Sequence, residues 1–109
     1  MNKYFEIIAN IHLYDSDKGR KSFILDGYRP HIYFGFSDPT NFNYSTDCII
    51  NLINTDKIFP GETSKVKIIV LRYEHLKGLL ELGAKLKLKE GVKFIGDGVI
   101  KEVIGEKRY

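Results

Sequence analysis

The chain has 109 residues, 43% of them hydrophobic and 28% charged, which predicts one domain spanning residues 1–109 around a single core. No apolar run approaches the roughly 20 residues that cross a bilayer, the N-terminus carries no secretory signal, and the single cysteine, Cys48, cannot close an internal disulfide, so a reducing, cytoplasmic setting is expected. A net charge of +3 permits contact with nucleic acid without demanding it.

In residues 4–13, Phe5, Ile7, Ala9, Ile11 and Leu13 alternate with Glu6, Asn10 and His12. That period of two predicts a half-buried strand. Residues 15–19 form a polar turn, and residues 22–25 a short strand. Asp26-Gly27 is a turn signal, because glycine takes positive φ without steric cost. Residues 31–36 are β-branched and aromatic, and predict a strand. Residues 38–46 are rich in Asn, Ser, Thr and Pro and predict a loop. Residues 48–53 form an apolar run of strand length, and Pro60-Gly61 a turn. Residues 65–73 predict a long strand with Val66, Ile68 and Val70 on one face. In residues 74–83 the leucines have partly helical spacing, but Gly78 and Gly83 limit any helix, so a loop with one helical turn is expected. Ala84, Leu86 and Leu88 alternate with Lys85, Lys87 and Lys89, a one-sided strand. Gly91 turns the chain into a last strand over residues 93–104, where Gly96 and Gly98 mark a bulge or a close backbone approach.

Short strands with no long helix predict an all-β sandwich or barrel. Closure into a barrel would remove the exposed edges.

Three blocks carry a resemblance. The first is Gly19-Arg20-Lys21-Ser22 followed by Gly27-Tyr28-Arg29-Pro30-His31-Ile32-Tyr33-Phe34. The second is Phe59-Pro60-Gly61-Glu62. The third is Leu88-Lys89-Glu90-Gly91 followed by Ile95-Gly96-Asp97-Gly98-Val99-Ile100. In this order they resemble the C-terminal, third-domain barrel of translation elongation factor Tu, over residues 3–104. The resemblance implies an all-β, closed antiparallel barrel of about six strands. The GTPase domain and the middle barrel of that factor have no counterpart here.

Catalytic equipment is not evident. Gly19-Arg20-Lys21-Ser22 lacks the upstream glycine and the Gly-Lys pair of a phosphate-binding loop, so no nucleotide is expected. His12, His31 and His75 are not at metal-ligand spacing, so no metal or other cofactor is expected. Cys48 lies in an apolar run with no basic neighbour and reads as a buried thiol. The expectation is a protein that is not an enzyme.

In elongation factor Tu this barrel contacts the T-stem backbone of aminoacyl-tRNA, the GTPase domain and the nucleotide exchange factor. Carried over by matched position, the resemblance implies RNA contacts at Arg20, Lys21, Arg29, His31, Thr40 and Gly91, and at Arg72 beyond the long strand. Arginines can hold phosphates bidentately, and such contacts position a ligand while carrying little sequence information. Other readings stand beside these. Arg29 also reads as a structural staple of its turn, Arg20 and Lys21 as solvated turn residues, and His31 as an ordinary histidine. The Lys85, Lys87, Lys89 and Lys93 stripe reads as a solvated outer face, and it departs from the family, as does Asp97 between the two glycines.

Three functions follow as expectations. One is a stand-alone, translation-factor-like module contacting tRNA or another structured RNA. The second is a protein-interaction module mimicking elongation factor Tu, such as an immunity protein or regulator that binds a toxin or a translation-factor partner. Its surface would be Leu76, Leu79 and Leu80 in the added loop, if exposed; folded inward, they are core. The third is the terminal part of a longer translation factor, against which Met1 and the one-domain length argue.

Overall fold

The computed structural model describes residues 2–34 and 44–108. The first strand, β1 (Lys3–Leu13), buries Ile7, Ala9, Ile11 and Leu13, while the residues between them stay partly exposed. Its neighbours are all distant in sequence. Two short strands follow, β2 (Ile24–Leu25) and β3 (His31–Tyr33), then β4 (Ser45–Leu52), β5 (Lys57–Ile58) and β6 (Thr63–Val70). A 3-10 helix (Glu74–Leu79) leads to β7 (Lys85–Glu90) and β8 (Lys93–Arg108). Six strands close an antiparallel barrel in the order β1-β6-β4-β3-β7-β8, as expected, and β2 pairs with β5 in a separate ribbon.

Register puts the apolar set on the inside. Cys48, Ile50 and Leu52 of β4 stand opposite Val70, Ile68 and Val66 of β6. Ile32 of β3 sits between Thr46 of β4 and Leu88 of β7. A slip of one residue would turn each of these strands inside out, so the core holds the register.

Several local expectations are corrected. β4 begins at Ser45, three residues before the apolar run, because alternation buries Thr46 there. β5 pairs through only two residues, too few to give a periodic signal. β8 continues to Arg108, because β1 supplies a partner for that length. Residues 35–43 lie outside the described set, and with them the end of the predicted aromatic strand and most of the predicted loop.

The leucine segment folds inward. Leu76 is buried, Leu80 is 4% exposed, and Leu79 packs against the core as a partly buried residue. The 3-10 helix caps one end of the barrel with Tyr73, whose ring lies 5.4 Å from that of Phe5. Tyr73 donates its hydroxyl proton to Glu106, which Lys77 also approaches at 3.8 Å. Leu76, Leu79 and Leu80 are therefore part of the core and its margin, not an exposed patch. Apolar burial outweighs a solvent-facing loop because each covered leucine is stabilised by about 1.5–3 kcal/mol.

The β8 glycines mark a close approach. Gly96 and Gly98 stand opposite Leu13 and Ile11 of β1. A Cβ at Gly98 would lie 2.4 Å from the Asn10 carbonyl oxygen, and one at Gly96 2.6 Å from that of His12. Bulges between Glu6 and Ile7 and between Ile8 and Ala9 adjust the same pairing.

Among the described residues, no helix is long and apolar enough to cross a membrane.

Candidate nucleic-acid interface

The outer face of β4, β3, β7 and β8 gathers most of the charged candidates. One row runs Asp47, His31, Lys89, Phe94, each opposite the next across a strand boundary. The row beside it runs Ser45, Tyr33, Lys87, Asp97. Directly opposite residues sit close enough for their side chains to interact. The lysine stripe, which alternation alone places on an outer face, is thereby set beside His31.

Aromatic rings underlie these lysines. Tyr33 and Phe94 have ring centroids 5.6 Å apart. The Lys87 ammonium lies 4.8 Å from the Phe94 centroid, and that of Lys89 5.4 Å from Phe94 and 5.9 Å from Tyr33. The ring faces attract the ammonium groups and hold them over the face.

His31 and Arg72 meet at Asp47. His31 Nε2 lies 3.0 Å from Asp47 Oδ1, and Arg72 Nη2 pairs with Asp47 Oδ2. Both side chains remain largely exposed, at 54% and 75%. Arg29 is exposed two residues before His31. The hydrogen bond from Cys48 N to Pro30 O and the bridge from Tyr28 to Ile50 extend strand pairing across that stretch. By alternation Arg29 then shares the side of His31.

Arg20 is differently placed. Its guanidinium donates to Glu90, to the Ser22 and Phe23 carbonyls and to Ser22 Oγ, and stacks 4.8 Å over the Tyr28 ring. Tyr28 donates to the same Glu90 carboxylate. Arg20 thus clasps the segment after β1 to the end of β7, and Glu90 offsets its charge. Lys21 is exposed beside it. Gly91, at φ +59, turns β7 into β8 with open space where a side chain would stand. Thr40 lies outside the described residues.

The Tyr28 hydroxyl is pushed up to about 12, by burial first, with Arg20 pulling the other way and Cys48 adding a little. A raised tyrosine stabilises the fold fully below its ordinary value of 10.0, and that contribution is lost as pH climbs through about 12. Tyr28→Phe should therefore flatten the alkaline limb of stability, measured by urea unfolding between about pH 9 and 11.5. An unchanged limb would remove Tyr28 as its source.

The remaining candidates do not converge. His12 pairs with Thr63 Oγ1 at 2.9 Å, and His75 reaches the Ser45 carbonyl. Among the described residues, no group of three His, Cys, Asp or Glu side chains is placed to hold a metal. Cys48 is buried, its thiol points at the Pro30 carbonyl, and burial pushes its pKa up. Asp97 faces outward beside His12 and accepts a hydrogen bond from Tyr14, whose hydroxyl is raised by burial first and then by Asp97. His12 and Asp97 edge an open groove of about 510 Å³ that also takes in Asn10, Thr63 and Lys85.

Asp47, Tyr33 and Phe94 belong to this face and are not singled out by sequence reasoning. Alternation assigns Phe94 no partner, and Asp47 falls between a loop-like stretch and an apolar run. No protein-family model matches the chain.

Proposed function

We propose that this barrel is a non-enzymatic, translation-factor-like module that binds the phosphate backbone of tRNA or another structured RNA on its β4-β3-β7 face. The observation that carries the proposal is the register that sets Lys89 beside His31 and Lys87 beside Tyr33. It gathers cations from separate stretches of sequence into one face, with Arg29 and Arg72 at its margins. Structured RNA is recognised largely through phosphates and shape, which suits a face of cations on a rigid sheet. The three-block resemblance to the third domain of elongation factor Tu supports the same reading.

The test is titration with bulk tRNA, aminoacylated and uncharged, at several salt concentrations. Three or four phosphate contacts should give a log–log salt slope of about −2 to −4. No binding even at about 20 mM salt, where counterion release is strongest, would overturn the proposal.

A second reading, protein interaction by mimicry of elongation factor Tu, has one observation in its favour. The β2–β5 ribbon and the residue after it leave Leu25 52% and Phe59 48% exposed. Phe23 stacks edge-on to Phe59 at 5.4 Å, with the Lys57 ammonium 4.8 Å from the Phe23 ring centre. Exposed apolar side chains grouped on one ribbon are the kind of feature that interaction sites use. Leu25→Ser with Phe59→Ser should abolish capture of a translation factor or toxin while leaving barrel unfolding unchanged. Retained capture by the double variant would discard this surface.

A further inference from the structure

We propose that Asp47 is an internal placeholder in a phosphate subsite, its carboxylate holding His31 and Arg72 until a phosphoryl group of the bound RNA takes its place. The inference rests on the RNA-binding reading and assigns that face a built-in competitor.

Three observations carry it. First, the two side chains take different oxygens of one carboxylate, His31 on Oδ1 and Arg72 on Oδ2. A phosphodiester carries the same single charge on two oxygens and can satisfy the same two donors. Second, the chain holds Arg72 there against its backbone preference. At φ +45 it is the one non-glycine residue with positive φ among those described. Such a conformation persists only where the surroundings impose it. Here Thr46, 7% exposed, donates its hydroxyl to the Leu71 carbonyl at 2.6 Å and approaches that of Arg72 at 3.3 Å. The Leu71 amide in turn donates to the Asp47 carbonyl at 3.0 Å. Third, the ion pairs are exposed, and exposed pairs hold weakly. They orient the two side chains and yield to a polyanion that also meets Lys89, directly opposite His31.

The backbone anchor does not involve the Asp47 side chain, so Asp47→Asn keeps the β6 exit in place while removing the competing charge. Any loss of a negative charge favours RNA non-specifically, so Asp56→Asn, in the exposed turn before β5, serves as the matched control.

The experiment titrates wild type and both variants with bulk tRNA from about 50 to 200 mM salt. Asp47→Asn should tighten binding about 3- to 10-fold at the low end and leave the salt slope nearly unchanged, because the same phosphate is neutralised in both proteins. Asp56→Asn should tighten it less than about 2-fold, as expected of a distant charge. Equal effects of the two variants, or weaker binding by Asp47→Asn, would overturn the placeholder. If wild type binds and Asp47→Asn does not tighten, only the placeholder falls. If no protein binds tRNA at the lowest salt, the RNA reading falls and takes the placeholder with it.

Discussion

Gly98→Ala is expected to lower stability by about 3 kcal/mol, the upper end for overpacking a well-packed site. Gly98 stands between Ile11 of β1 and Leu86 of β7. A Cβ there would lie 2.4 Å from the Asn10 carbonyl oxygen, 3.1 Å from Ile11 Cγ2 and 3.2 Å from Ile11 Cα. Two of these three atoms are backbone and cannot rotate away. Relief requires β8 to move off β1, and in a closed barrel that shift also disturbs the β7 pairing. The melting temperature should fall by roughly 10–20 °C, read by circular dichroism. Gly78→Ala is the internal contrast: no atom lies within 4 Å of its Cβ position and its φ is not positive, so it should be close to neutral or slightly stabilising. If Gly98→Ala proved as mild as Gly78→Ala, the close approach of β8 to β1 would not be what requires glycine.

The second large effect concerns the proposed RNA face. Replacing Arg29, Lys87 and Lys89 together with alanine is expected to weaken tRNA binding about 100-fold at roughly 50 mM salt and make the salt slope shallower by about 2–3 units. Each phosphate deprived of its cation should remove nearly one unit of slope, so the slope reports the number of phosphates neutralised independently of affinity. The fold should survive. Arg29 is exposed, and removing a lysine from above an aromatic ring costs about 0.5–1 kcal/mol at such sites. Arg20→Ala is a poor substitute for this variant, because Arg20 binds Glu90 and covers Tyr28. Its main effect should be on stability, which would confuse the reading of affinity. An unchanged salt slope in a folded triple variant would remove the β3–β7 face as the site.

The alternation of β1 and of the lysine stripe on β7 was legible because a strand's period of two is a local property of the chain. Short strands and turn signals such as Asp26-Gly27 and Pro60-Gly61 indicated an all-β sandwich or barrel, and the three-block resemblance alone implied closure into an antiparallel barrel of about six strands. The close approach at Gly96 and Gly98 was legible in kind, since a strand interior without side chains needs a spatial reason.

Which strand lies beside which was not legible in periodicity. The lysines of β7 came beside His31 only because β3 sets His31 opposite Lys89. Asp47 gained its partner Arg72 only because the exit of β6 brings Arg72 to it. Leu76 and Leu80 carry the same spacing whether they face solvent or a core, and burial against the barrel end decided it. Local periodicity is written in neighbouring residues and sets which face of a strand is apolar. Pairing, burial and charge proximity arise between residues far apart in sequence, and only the closed barrel fixes them.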